Sequence, residues 1–218
     1  TRKEVPERPG PAMAIFFTVL LGGCICTPYD ARSRRAHLTL SVAKYARNMT
    51  ERQPYTVVEK CNGYEIRDYP ESRLAQVDMR ASFSSAGSMG FGPLIRYISG
   101  GNASSQRIAM TAPVLQQASP KETYLVSFVM PAEMTEATMP RPVDGRVTMV
   151  TVPAQRVAAL GFRGAWNERR FHEQASALRS ALTRDKRTWT GEPTYARFDP
   201  PWKPGFLKYS EVLMHLDS

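Results

Sequence analysis

The sequence is poor in the residues from which disulfide frameworks and metal sites are built. It contains only three cysteines and three histidines in 218 residues. Cys24, Cys26 and Cys61 are an odd number without a repeated pair spacing, which predicts neither a disulfide framework nor a zinc knuckle. The histidines are scattered along the chain and complete no metal-ligand cluster, so a metal ligand cannot be assigned from the sequence.

Motifs of the common enzyme classes are also missing. The chain has no glycine-rich phosphate-binding loop and no Ser/His/Asp constellation in a motif context. The sequence places no buried pair of acid and base that a reaction would need. We therefore expect a protein that is not an enzyme.

The charge of the chain is unevenly distributed. The net charge is +9, and residues 1–52 alone carry nine Lys/Arg against four Asp/Glu. More than half of the excess therefore lies before the folded body, where both signs are interspersed. A nucleic-acid-binding domain concentrates Lys and Arg on one face of its body, so we expect no nucleic-acid partner.

The N-terminal region resembles an export signal. Residues 14–23 form an apolar run behind three basic residues, and the run is about half the length needed to span a bilayer. Residues 21–24 resemble a bacterial lipobox, which predicts acylation of Cys24 and a periplasmic or membrane-anchored lipoprotein. The alternative is a start at Met13, which leaves no basic region and predicts a cytoplasmic protein.

The chain divides into three regions by composition. Residues 1–23 form the signal-like leader, residues 24–54 form a polar linker, and residues 55–218 form the folded domain. The domain is long enough to bury a single hydrophobic core.

Alternation of apolar and polar residues is the strongest local signal in the domain. In Arg73–Arg80, the side chains of Ala75, Val77 and Met79 share one face, which predicts a half-buried strand. Further strands are predicted at 64–69, 107–116, 123–130, 146–152, 155–162, 194–198 and 211–216. With one helix in each half the order is ββαββ–ββαββ, which predicts an α+β domain with a curved, barrel-like antiparallel sheet.

The two predicted helices differ in character. The second is capped by Asn167 and repeats apolar residues at helical spacing, which is typical of a packing helix. The first covers Ser85–Ser99 and contains three glycines and Pro93, which lower helical stability. We expect the glycines to permit the close approach of a flat apolar molecule, although tight packing within the protein is the simpler explanation.

Six segments of the domain stand in the same order as in a known family. They are Tyr64–Pro70, Arg96–Asn102, Ile108–Val114, Val126–Pro131, Asp199–Lys203 and Glu211-Val212. In these segments, over about residues 56–216, the chain resembles the SOUL/heme-binding protein family. The resemblance implies a distorted antiparallel β-barrel of two pseudo-symmetric βαββ units, each with one flanking helix. It also implies non-catalytic binding of heme or a related tetrapyrrole in an exposed apolar cleft, for carriage or buffering.

The resemblance and the residue types together nominate a ligand site beside the first helix. Met89, Phe91 and Ile95 are the candidates for its apolar wall, although Ile95 also has the spacing of a core residue. Lys203 matches a family lysine that reaches a heme propionate, and Arg96 is a second candidate cation. The alternatives are a surface lysine and an arginine that complements the helix dipole.

The chain departs from the family at two positions. Ser88 stands where some members carry a propionate-binding arginine, and the histidine proposed as axial ligand in some members has no counterpart near Tyr64–Tyr69. Heme would be held by contact alone or through Met89, Tyr97 or His172. We expect the ligand to be loosely held, and another porphyrin is an alternative.

We interpret the distinctive segment 110–113 as structural.

Other functions remain open at this point. A module for another flat hydrophobic ligand or a cationic drug is the first alternative, because the fold resembles bacterial effector-binding domains. A protein–protein adaptor and an enzyme that modifies tetrapyrroles are the others. We expect a monomer with a tetrapyrrole ligand and, if Cys24 is acylated, a membrane tether.

Overall fold

The computed structural model describes residues 50–217 of the chain. The predicted leader, most of the linker and Cys24 lie outside the described residues. None of the helices within residues 50–217 is both long and apolar enough to cross a membrane.

The described chain contains eleven strands, two α-helices and a short 3-10 helix. In order they are β1 (Glu51–Arg52), β2 (Thr56–Lys60), β3 (Glu65–Tyr69), β4 (Ser72–Met79), α1 (Phe83–Ile98), β5 (Thr111–Ala112), β6 (Val114–Ser119), β7 (Thr123–Val129), β8 (Thr148–Val152), β9 (Gln155–Arg163), α2 (Glu168–Arg184), β10 (Trp189–Arg197), the 3-10 helix (Gly205–Leu207) and β11 (Tyr209–Leu216). The strand predicted over 107–116 begins later, at Thr111, is divided at Pro113 and continues to Ser119.

Nine of the strands form one large antiparallel sheet. Their order across the sheet is β2-β3-β9-β11-β10-β6-β7-β4-β8. The short strands β1 and β5 pair in parallel beside it. This confirms a mixed α+β domain with two helices and a large antiparallel sheet. The predicted barrel is not confirmed, because β2 and β8 are the two edges of the sheet and do not pair with each other within residues 50–217.

The domain is an internal duplication in which the two halves exchange a strand. The first half is β3-β4-α1-β6-β7 and the second is β8-β9-α2-β10-β11. The first strand of each half pairs with the second strand of the other half, β3 with β9 and β8 with β4. The halves also join at the centre, where β6 pairs with β10. The exchange binds the two halves into one sheet.

Both helices begin at the residues that their sequences favour. Ser82 caps α1 by accepting a hydrogen bond from the backbone N–H of Ser85, and Asn167 caps α2 in the same way. The packing face predicted for α2 is confirmed, since its four periodic apolar residues are buried: Phe171, Ala175, Leu178 and Leu182. α1 packs on β4 and β7, and α2 packs on β9 and β11. The helices meet where the Phe83 and Phe171 ring centroids are 5.4 Å apart.

Two glycines of α1 accommodate the protein's own side chains. A Cβ at position 90 would lie 2.8 Å from the Cβ of Val126 in β7, and a Cβ at position 87 would overlap the Nη1 atom of Arg197. At Gly90 the space is therefore filled by the sheet and not by a ligand, whereas Gly87 borders both Arg197 and the cleft, so the expectation of close ligand approach stays a prediction there. Both glycines allow the helix and the sheet to approach each other closely.

A buried ion pair joins two of the family-like segments on β3 and β11. Arg67 donates to both carboxylate oxygens of Glu211, over 2.8 and 3.1 Å. The hydroxyl of Tyr209 donates to the same carboxylate over 2.6 Å. Burial opposes the charge of Arg67, but the contact with Glu211 outweighs it and raises the pKa of the guanidinium. Removing one partner alone would leave a buried, unpaired charge.

The close approach of α1 to the sheet predicts that an alanine is tolerated at one glycine of this helix and not at another. Gly90→Ala is expected to destabilise the domain by about 1–3 kcal/mol, because the added methyl overlaps Val126. Gly92 has open space beside it. Gly92→Ala is expected to change stability by less than about 1 kcal/mol, since the gain in helix propensity is opposed by the following Pro93. Urea unfolding of both variants measures the difference, and equal stability would contradict the packing described here.

Candidate functional site

A cleft opens between α1, the start of α2 and the chain that follows β10. Its volume is about 660 Å³. Its lining residues come from the segments 83–95, 110–114, 166–168 and 197–202, together with Thr50. The cleft therefore lies between the two halves of the duplication, at the side where β6 and β10 meet.

One wall of the cleft is an apolar surface of α1 and the adjoining strands. Phe91 and Ile95 line it, as the sequence predicts. The ring of Phe91 packs edge-on against Phe128 with centroids 5.3 Å apart, which fixes its orientation. Met110 and Val114 extend the apolar surface from the strand side.

Three of the predicted site residues, Met89, Arg96 and Lys203, lie outside the cleft lining. Met89 is on the exposed side of α1 with 56% of its surface accessible. Arg96 is also exposed and lies 3.5 Å from the carboxylate of Asp144. The predicted ligand contacts of Met89 and Arg96 are untested, and a ligand that binds on the lining residues alone would not need them.

Lys203 lies beside the cleft and is held by a neighbouring carboxylate. Its ammonium donates to Oδ1 of Asp199 over 2.7 Å, and Asp199 lines the cleft. The other carboxylate oxygen accepts from the backbone N–H of Tyr209 over 2.6 Å. Burial raises the pKa of Asp199, but the Lys203 and Tyr209 hydrogen bonds outweigh it and lower the pKa below its usual value. The carboxylate therefore clamps the proline-rich loop between β10 and β11.

Lys208 is a second cation that holds the same loop in place. The buried ammonium of Lys208 donates to the backbone carbonyl of Pro201 over 2.9 Å. It also lies 3.9 Å from the ring centroid of Trp166, which lines the cleft. The loop that borders the cleft is therefore held at both ends.

Arg197, the last residue of β10, places a cation in the lining of the cleft. Its guanidinium lies 5.3, 5.5 and 5.8 Å from the ring centroids of Trp166, Phe171 and Phe83. Its Nε atom is enclosed and has no hydrogen-bond partner in the described chain. Burial lowers the pKa of Arg197 to about 10, so the group remains charged at neutral pH.

The side chains considered as iron ligands do not lie together at the cleft. The Tyr97 hydroxyl is buried and donates to the carbonyl of Pro140 over 2.9 Å, so it is already engaged. His172 is on the exposed side of α2, outside the cleft lining. Met110 is the thioether that lines the cleft. Within residues 50–217, no cluster of three or more His, Cys, Asp or Glu is arranged to hold a metal ion.

The segment 110–113 combines the predicted structural role with a place in the cleft. Thr111 donates its hydroxyl to the backbone carbonyl of Val129, and Pro113 separates β5 from β6. Both observations agree with a structural interpretation. Met110, Thr111 and Ala112 also line the cleft, which the sequence interpretation missed.

Arg197 was missed as well, although the sequence carries a signal for it. In the strand 194–198, Tyr195 and Arg197 are two residues apart and so share a face. Tyr195 is buried against Phe171, which makes that face the apolar one. An arginine on the apolar face of a strand is unusual and marks a candidate site.

Comparison with known proteins identifies the relatives of this chain. The family model described as SOUL heme-binding protein matches residues 50–215. Human heme-binding protein 2 is 28% identical over 148 residues, which cover 64% of this chain and 72% of the relative.

The fold is also similar to that of solved structures with little sequence identity. The crystal structure of the EcmrR C-terminal domain has a TM-score of 0.57 at 13% identity, covering 75% of this chain and 98% of that chain. The cryo-EM structure of an EcmrR–DNA complex has a TM-score of 0.55 at 14% identity, covering 86% of this chain and 65% of that chain. At this identity the similarity describes the fold alone.

The carboxylate clamp predicts a stability contribution that depends on pH. Asp199→Asn is expected to cost about 1–3 kcal/mol at pH 7, because the hydrogen bonds from Lys203 and Tyr209 lose their charged acceptor. The pKa of Asp199 is lowered by folding, so its contribution is fully present above the unfolded pKa of about 3.9, decreases as the pH falls below that value, and is lost as the pH falls through the lower pKa of the folded state.

Urea unfolding at pH 7 and at pH 3 measures this dependence. Asp78→Asn, at an exposed carboxylate of β4, is the matched control and is expected to change little at either pH. A cost for Asp199→Asn that is the same at both pH values would contradict the clamp.

Proposed function

We propose that this chain, which belongs to the SOUL heme-binding protein family, binds heme or a related tetrapyrrole in the cleft beside α1. The domain would hold the ligand for carriage or buffering without changing it chemically. The observation that carries the proposal is the apolar lining of the cleft, formed by residues from both halves of the duplication.

The size and character of the cleft suit a flat apolar ligand. Its volume of about 660 Å³ is in the range of pockets that enclose most of a small-molecule ligand, roughly 300–1,000 Å³. Phe91, Ile95 and Met110 offer apolar contact to the face of a macrocycle. Removing apolar surface from water contributes about 25 cal/mol per Å², so this contact would supply most of the affinity.

The polar edge of a tetrapyrrole has partners at the rim of the cleft. Lys203 lies there, fixed by Asp199, and would attract a carboxylate of the ligand. Such exposed ion pairs set orientation more than affinity. Heme would also bring its iron, for which the thioether of Met110 is a donor among the lining residues.

The open mouth of the cleft suits reversible binding. Trp202 lines the cleft with 82% of its surface accessible, so it lies at the mouth. A ligand in such a site can exchange with solvent or a partner, which carriage and buffering require. Monomeric state and a periplasmic or membrane-anchored location through Cys24 stay predictions of the sequence.

Two neighbouring positions on α1 test where the ligand binds. Ser88 lines the cleft, whereas Met89 lies outside its lining. Ser88→Trp is expected to weaken hemin binding by about tenfold or more, because the indole occupies space that the macrocycle needs. Met89→Trp adds the same indole one residue along and is expected to leave the affinity unchanged. Titration with hemin, followed by the Soret band, measures both.

The outcome of this titration separates the proposal from its alternatives. Saturable binding of one hemin per chain that is lost in Ser88→Trp alone supports the cleft. Equal binding by both variants would exclude the cleft as the site. A lack of saturable binding at micromolar hemin would contradict tetrapyrrole binding itself.

A further inference from the structure

Arg197 carries a charge that the described protein does not neutralise. Within residues 50–217, none of the ion pairs includes Arg197, and burial is the one influence on its pKa, with no contribution from a neighbouring carboxylate. Its surroundings are the aromatic rings of Phe83, Trp166 and Phe171. Cation–π contacts of this kind recover part of the cost of desolvation, but they do not supply a hydrogen-bond acceptor.

The acidic residues that line the cleft do not form an ion pair with Arg197. Asp199 is engaged by Lys203 and by the backbone of Tyr209. The carboxylate of Glu168, in the first turn of α2, lies 3.8 Å from the imidazole of His172. Arg197 is thus a lining cation without a described acceptor, and neither of the two lining carboxylates forms an ion pair with it.

A second enclosed donor lies in the same wall. The indole Nε1 of Trp166 is buried and, like Nε of Arg197, has no hydrogen-bond partner among the described residues. Trp166 and Arg197 are in contact and both line the cleft. Buried donors are satisfied in most proteins, so these two atoms show that the protein's own acceptors do not match the donors of this wall.

We infer that Arg197 is the counter-ion for an acid group of the ligand, so that the cleft selects flat apolar anions. This inference rests on the proposed ligand-binding function and adds the class of ligand to it. A guanidinium presents its donors in a planar fork that matches the two oxygens of a carboxylate. Because Nε is enclosed, the terminal nitrogens are the atoms available to the ligand.

The position of Arg197 also decides which ligands the cleft rejects. An ion pair is stronger where water is partly excluded, and the guanidinium borders three aromatic rings. A cationic ligand would meet a like charge there, and a neutral ester would leave the arginine unpaired. The alternative of a site for cationic drugs is therefore disfavoured by this side chain.

A porphyrin and its ester test the inference on the full chain. Protoporphyrin IX carries two carboxylates, and its dimethyl ester has the same macrocycle without the charges. The wild-type chain is expected to bind the free acid about tenfold or more tightly than the ester, measured by fluorescence anisotropy in one buffer and detergent. In Arg197→Met the two affinities are expected to agree within about threefold, mainly through weaker binding of the acid.

Matched variants separate this role from a general effect of charge or folding. Arg163→Met removes an exposed arginine that also lies over an aromatic ring, that of Tyr209, and is expected to keep the full preference. Circular dichroism checks that each variant is folded. If Arg197→Met does not fold, Arg197→Gln carries the same expectation, and Arg197→Lys is expected to keep part of the preference.

These measurements distinguish failure of the proposed tetrapyrrole binding from failure of the role assigned to Arg197. If neither porphyrin binds the wild-type chain, tetrapyrrole binding and this inference are both overturned. If both bind equally well, or if Arg197→Met keeps the wild-type preference, the assignment of Arg197 alone is overturned.

Discussion

The close approach of α1 to the sheet determines the form of the cleft. At Gly90 the helix lies against Val126 so tightly that a methyl group would overlap it, and at Gly87 the helix backbone borders Arg197. This contact fixes which side of α1 is buried, and it leaves Phe91 and Ile95 at the edge that borders the cleft. The opposite border is the loop after β10, which Asp199 and Lys208 hold in place.

A cost in stability accompanies this arrangement. A partly buried arginine without an acceptor opposes folding. The buried Arg67, which has a structural role, is the contrasting case. There the charge is matched by a carboxylate on a neighbouring part of the sheet. Arg197 has aromatic neighbours instead, which is the pattern expected of a residue retained for binding.

Periodicity predicted most of the fold, and packing explains what it missed. The alternation in Arg73–Arg80 and the helical spacing in α2 reflect which faces meet the core, so both were correct. The role of the glycines in α1 depends on Val126 and Arg197, which lie far away in the sequence, and no local pattern encodes such contacts. Phe91 and Ile95 were assigned to the cleft from their place on the first helix. Met110 was missed because its place in the cleft depends on such distant contacts, whereas Arg197 could have been found from its position on the apolar face of a strand. Whether the sheet closes into a barrel depends on whether its two edge strands pair. The alternation of apolar and polar residues in a strand does not specify its partner.

Methyl NMR of the 218-residue chain tests most directly whether the cleft is the binding site. With methionine and isoleucine methyls labelled, iron-free protoporphyrin IX is expected to shift Met110 and Ile95, which line the cleft. Met214, buried under α2, and the exposed Met89 serve as internal references and are expected to stay in place. Shifts at Met89 with none at Met110 and Ile95 would contradict the account.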